Sequence, residues 1–256
     1  MEAGDRMILG ALDQFQDGLR FLFESRDSVA GGVQVGGSEL LPLLGEHMKV
    51  TLYGTVLATL LAVPLAIFLA HTGRGAFAAS SVANVGRAVP SIAVVLFFSA
   101  YLGFGVTNLV FGLTLLAIPP IFTNTFVGIR QVDTDVVDAA RGQGLSGLQI
   151  VTKVELPLSL PLIFGGIRTS FVNVVATATL GPLVGVVTLG DPILSPGVYG
   201  AAGQLGTAIL IAVIAVAGEL VFAGIQRAAT PKGIRRSDPG RARRLGRRAQ
   251  LRASSV

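Results

Sequence analysis

The chain has 256 residues, 51% hydrophobic and 14% charged, where a soluble domain carries roughly 25% charged residues, so it cannot cover itself with polar surface. It contains no Cys, which excludes disulfides and thiolate metal sites. No paired acid and base, no metal cluster and no Gly-x-x-x-x-Gly-Lys-Ser/Thr phosphate loop is present, so neither catalysis on a soluble substrate nor nucleotide hydrolysis is expected of it.

Residues 1–46 come first as a mixed segment, expected to be extracytoplasmic or interfacial. Met1 to Gly10 lacks the basic start, apolar run and small-residue cleavage site of a secretory signal, so the chain is expected to be retained whole. Phe15, Leu19, Phe21, Leu22 and Phe23 alternate with Asp17, Arg20 and Glu24. This pattern fits a short amphipathic helix lying on a membrane. It fits equally an exposed helix followed by a flexible linker through Gly31, Gly32, Gly36 and Gly37.

Residues 47–226 form the expected membrane domain. Asp, Glu, Lys and Arg are absent from Val50–Gly73, Ala88–Ile129, Thr169–Gly190 and Pro192–Gly218, and a bilayer core needs about 20 apolar residues per helix. The second stretch contains Leu102-Gly-Phe-Gly-Val-Thr-Asn108, a turn signal that divides it into two helices. The reading is therefore all-α and polytopic, with five spans near 48–70, 82–102, 106–127, 160–187 and 205–226. The runs are too long and too unbroken for barrel strands.

Residues 227–256 are a basic tail expected to be disordered, with ten Lys or Arg against the single acid Asp238. The net charge of +5 thus averages a slightly acidic body with a strongly basic end. Basic short loops stay in the cytoplasm, which puts the tail inside, along with His71–Arg74 and Arg130–Lys153. Five spans then leave the amino terminus outside. The tail reads as a solvated topology anchor, and no nucleic-acid partner is expected.

Between the third and fourth spans, residues 131–157 are too polar to cross a membrane and too patterned for an irregular loop. Asp133, Thr134 or Asp135 can cap a helix start, and Val136, Val137 and Ala140 give it one apolar face. Gly142, Gly144 and Gly147 allow a sharp turn; Leu148, Val151 and Val154 resume the apolar spacing, and Leu156-Pro157 is expected to end the unit. This segment resembles the cytoplasmic signature of the membrane subunits of binding-protein-dependent ABC importers: Glu-Ala-Ala, three residues, Gly, nine residues, Ile, any residue, Leu-Pro. Here it reads Asp138-Ala139-Ala140, Gly144, Val154, Leu156-Pro157, with both gaps intact.

The resemblance implies the type I ABC importer permease fold and a coupling helix that docks on an ATPase. Asp138, Ala139, Ala140, Arg141, Gly144, Val154, Leu156 and Pro157 would make that contact. It implies as partners two ATPase subunits, a second copy of the permease or a related one, an extracytoplasmic substrate-binding protein and the lipid bilayer of a bacterial cell membrane. No cofactor is expected on this chain; ATP and Mg belong to the ATPase. This makes it a transporter subunit rather than an enzyme.

Over about 48–226 the chain is most similar to permeases for glycine betaine, carnitine or choline, through Ala62-Val-Pro-Leu-Ala66, Ala83-Asn-Val-Gly-Arg-Ala-Val-Pro-Ser91, Ile118-Pro-Pro-Ile-Phe-Thr-Asn124, Gly166-Ile-Arg-Thr169 and Val175-Ala-Thr-Ala-Thr179. It departs from that branch at Val184-Gly-Val-Val-Thr-Leu-Gly190, which runs into Asp191-Pro192, so the outer loop is expected to differ. Asn84, Arg87, Ser91, Asn108, Thr123, Asn124, Asn173, Thr177 and Thr179 are the polar candidates for the translocation path. Arg168 and Glu219 are further ionisable groups beside spans. With no Trp and three Tyr, the chain is poorly equipped for a cation–π cage, so selectivity is expected in the binding protein. The alternatives are a permease for an amino acid or oxyanion, and an ATP-independent carrier.

Overall fold

The computed structural model describes residues 2–230 and, within them, all side chains except those of 2–8, 78, 85 and 87; the tail from residue 231 lies outside the described residues. Helices dominate, as they must where lipid offers the backbone no hydrogen-bond partner. In chain order they are α1 (Glu2–Phe23), α2 (Leu40–His71), α3 (Ala76–Ala88), α4 (Ser91–Leu102), α5 (Val106–Arg130), α6 (Thr134–Gly142), α7 (Gly147–Ile150), α8 (Leu156–Thr177), α9 (Asp191–Leu194) and α10 (Pro196–Ala229).

Among the described residues, four helical segments are long and apolar enough to cross a bilayer: Gly37–His71, Val106–Arg130, Gly147–Val184 and Pro196–Ala229. The remaining expected span, 82–102, is instead a broken pair, α3 and α4. Pro90 takes extended backbone (φ −62°, ψ 128°); it has no amide hydrogen and crowds Val89 out of helical geometry. At 12 residues α4 reaches only about 18 Å, short of the ~30 Å core. The pair nevertheless crosses together, lying in tandem along α5, with Gly86 against Pro119 and Gly112 against Val95. Because α2 and α5 are parallel, Gly54 beside Leu113 and Gly73 beside Arg130, the chain between them has to return across the layer. Five crossings follow.

The α2–α5 contact rests on a row of small residues. Val50, Gly54, Ala58, Ala62, Ala66 and Ala70 are buried at every fourth position, whereas Leu57, Leu61, Leu65 and Phe68 on the other face are exposed. Small side chains let helix backbones close in lipid, where association depends on van der Waals packing and interhelical hydrogen bonds. A Cβ on Gly54 would lie 2.9 Å from Leu113 Cβ. Polar bonds add direction: Ser170 Oγ of α8 donates to the Ala117 carbonyl of α5 at 2.7 Å, and His47 Nε2 of α2 meets the Val175 carbonyl at 3.0 Å.

The antiparallel α8–α10 pair places Phe171 against Gly218 and lets Gln226 Nε2 donate to the Pro161 carbonyl at 2.7 Å. Beyond α8 the chain tightens into a 3-10 turn over Ala178–Val184, and Thr188 Oγ1 closes the following loop on the Ala178 carbonyl at 2.9 Å. Asp191 and Pro192 then open α9, and burial raises the Asp191 carboxyl above its usual pKa.

The amino-terminal glycines do not form a bare linker. β1 (Ser25–Asp27) and β2 (Gln34–Gly36) pair antiparallel, with Gly31 and Gly32 at positive φ between them. Phe21 is fully buried with Val35 and Leu40, and both Ser28 Oγ and the Val29 amide donate to the Val198 carbonyl at 3.0 Å. The hairpin thus caps the start of α10.

Candidate functional site

At one end of the bundle, α6, α7 and the start of α8 form the segment that carries the signature. Asp133 caps α6 by accepting from the Asp135 amide at 2.9 Å, the role sequence assigned to one of three neighbours. Val137 and Ala140 are buried with Ile150, and Val132, Leu145 and Val154 pack against them, while Val136 is exposed. Gly144 stands at φ +81°, and the Leu145 amide reaches back to the Ala140 carbonyl at 3.2 Å. This left-handed turn is the reason for glycine there.

A capping box then starts α7, with the Ser146 amide donating to Gln149 Oε1 at 2.8 Å and the Gln149 amide to Ser146 Oγ at 3.4 Å. Here the structure departs from the expectation that Leu156-Pro157 ends the unit. A π-helical stretch, Val151–Glu155, joins α7 to α8 without a break, and Pro157 sits in the first turn of α8. The π-bulge has already displaced the regular hydrogen-bond ladder, so the missing proline amide interrupts nothing.

The signature residues divide by environment. Ala140 is buried, and Val154, Leu156 and Pro157 are half-buried; Ala140 and Val154 belong to the small apolar cluster that holds the two arms of the segment together. Asp138, Ala139, Arg141 and Gly144 are exposed, and Arg141 Nη1 donates to Asp138 Oδ1 at 2.9 Å. A Cβ on Gly144 would meet nothing within 4 Å, and Leu148 beyond it is 74% exposed. The outward face is therefore small residues with one ion pair and one large apolar side chain, a surface able to seat against another protein.

A second feature lies between α3, α5 and α8: a cavity of about 300 Å³ lined by Ala83, Gly86, Leu116, Pro119, Pro120, Thr123, Asn124, Thr169 and Asn173. Of the path candidates it brings together Thr123, Asn124 and Asn173, whereas Asn108 is buried elsewhere and donates to the Val95 carbonyl at 3.2 Å. Asn84, Ser91, Thr177 and Thr179 are outside its lining, and Thr177 and Thr179 satisfy their hydroxyls on the Asn173 and Ala176 carbonyls at 2.8 and 2.7 Å. The Arg87 side chain lies outside the described residues. Thr169 lines the cavity as well, although the sequence marked it only as the end of the resembling stretch Gly166-Ile-Arg-Thr169. Arg168 Nη2 and Glu219 Oε1 face each other across α8 and α10 at 3.9 Å.

Sequence reasoning missed one polar contact entirely. His71 Nδ1, at the end of α2, lies 2.8 Å from Glu155 Oε2, at the junction into α8. Eighty-four positions separate the two residues, and no local pattern announces such a contact.

The profile of the family described as binding-protein-dependent transport system inner membrane component matches residues 62–234. The glycine betaine/carnitine/choline transport system permease protein of Bacillus subtilis (strain 168) is 34% identical over 203 residues, 79% of this chain and 94% of that protein. The choline transport system permease protein of the same organism is 34% identical, covering 80% of this chain and 94% of its own length. A carnitine transport permease of Listeria monocytogenes is 34% identical, covering 84% and 99%. Among solved structures, the MetNI methionine ABC transporter in an inward-facing conformation superimposes with a TM-score of 0.67 at 22% identity, over 75% of this chain and 96% of that one.

Proposed function

This chain belongs to the family of binding-protein-dependent transport system inner membrane components, and from that premise we propose that it is the permease subunit of an ATP-driven importer of osmoprotectants such as glycine betaine, choline or carnitine. The observation that carries the reading is the exposed face of the signature segment, Asp138, Ala139, Arg141 and Gly144, set on a chain 34% identical to osmoprotectant permeases over most of its length.

ATP and its Mg belong to a partner ATPase, because this chain has no phosphate-binding loop. Two ATPase subunits close on nucleotide, push the segment from the cytoplasmic side, and rock the attached helices between outward and inward openings. The permease works as a pair, with a second copy or a related chain. The basic loops and tail keep the segment inside and the hairpin outside.

The cavity between α3, α5 and α8 forms part of the path. Its lining offers two side-chain amides, two hydroxyls and prolines but no aromatic ring, so it holds a quaternary ammonium weakly. That suits a passage, with selection made by an extracytoplasmic binding protein.

The test is reconstitution with the ATPase and binding protein in liposomes, measuring ATP-dependent uptake of labelled betaine, choline and carnitine. Saturable uptake of at least one is expected. Uptake of none, with an amino acid or oxyanion carried instead, overturns the substrate class; uphill uptake without any ATPase overturns the mechanism.

A further inference from the structure

We propose that His71 is a positioning residue that latches α2 to the coupling segment, so that α2 travels with α5 and α8 when the segment is displaced. The proposal rests on the reading of the segment as the point where the ATPases push.

Two of the helices need no latch. The chain enters the segment directly from α5 and leaves it directly into α8, through Arg130 and Leu156 respectively, so both are pulled by backbone. α2 is different: it ends at His71, and the chain then turns away through Gly73 and Gly75 into α3. Its long contact with α5 is the row of small side chains, and its hydrogen bond to α8, between His47 and the Val175 carbonyl, lies at the far end of the helix from the segment.

His71 supplies the tie at the segment's end of α2. Its Nδ1 is 2.8 Å from Glu155 Oε2, and Glu155 is only 6% exposed. A buried carboxylate needs a hydrogen-bond partner, and removing that partner leaves it buried and unpaired, which is the costly case. The other ring nitrogen faces the first residue of α7: a Cβ on Gly147 would stand 3.3 Å from His71 Nε2. The imidazole is therefore lodged between the start of α7 and the start of α8. Glu155 itself closes the π-helical stretch, so the tie sits where the segment becomes a membrane helix. The same ring borders a cavity of about 240 Å³ with Arg130, Asp138 and Arg141, which places the latch just behind the docking face.

The test uses the complete transporter, with ATPase and binding protein, and reads solute imported per ATP hydrolysed. His71→Ala is expected to keep the ATPase bound and hydrolysing while that ratio falls by about fivefold or more. His71→Asn, whose amide nitrogen can occupy nearly the position of Nδ1, is expected to restore most of it. His71→Ala combined with Glu155→Ala should be no worse than the weaker single variant. An unchanged ratio in His71→Ala, or no rescue by His71→Asn, overturns the latch.

If His71→Ala fails to assemble, a second measurement decides. The chain has no Cys, so His71→Cys with Glu155→Cys can be joined by a short bis-methanethiosulfonate bridge. Transport that persists when bridged supports the latch, and transport stopped by the bridge and restored by reductant overturns it. Loss of all uptake in the unmodified transporter would instead strike at the proposed function.

Discussion

At the scale of single residues, Gly144 separates a folding role from a docking role. Its φ of +81° costs any other residue about 1–2 kcal/mol, with Asp among those that tolerate it best. The space around it is open, so Gly144→Asp is expected to insert and fold. The new carboxylate would project from the face that carries Asp138 and Arg141. Co-purification of the ATPase and uptake are expected to fall by about tenfold, equivalent to ~1.4 kcal/mol of interface, with little change in melting temperature. Undiminished uptake would mean that this face is not where force enters.

At the scale of elements, the α2–α5 row is the contact most sensitive to size. Gly54→Leu drives a side chain into Leu113, which a Cβ alone would already approach to 2.9 Å; overpacking of this kind costs roughly 1–3 kcal/mol. A lowered melting temperature in detergent is expected, whereas Leu61→Ala on the exposed face should leave it nearly unchanged. This scale also shows what the chain reveals about itself. The signature segment was readable because caps, positive-φ glycines and apolar spacing are local: Asp133, Ser146 and Gly144 act on neighbours within a few residues. The break at Pro90 was not readable, since Pro64, Pro119, Pro120 and Pro161 all sit inside continuous helices, and only the packing of α3 and α4 on α5 distinguishes the cases. The hairpin was hidden because three-residue strands are too short to show alternation. Of the polar path candidates, Thr123, Asn124 and Asn173 line one cavity; that cavity depends on three helices meeting and has no sequence signal.

At the scale of the whole molecule, the five crossings put the hairpin and the signature segment on opposite faces. Val33 is 58% exposed at the hairpin and Leu148 74% exposed on α7, and the absence of native Cys makes single cysteines clean reporters. In intact cells a membrane-impermeant maleimide is expected to label Val33→Cys and to reach Leu148→Cys only after permeabilisation; the reverse pattern would invert the orientation. The unbroken run from Gly147 to Val184 has a geometrical consequence of its own. Its 38 residues measure about 57 Å at ~1.5 Å per residue, and Gly166, pinned against Pro120 and Ile121, falls at the midpoint. α8 is fastened to α5 on both sides of that midpoint, near Ser159 and at Ser170, so the pair would tilt as one body: a tilt of about 5° about the midpoint swings each tip of the run roughly 2.5 Å in opposite directions, and narrowing on one side and widening on the other are then the same movement.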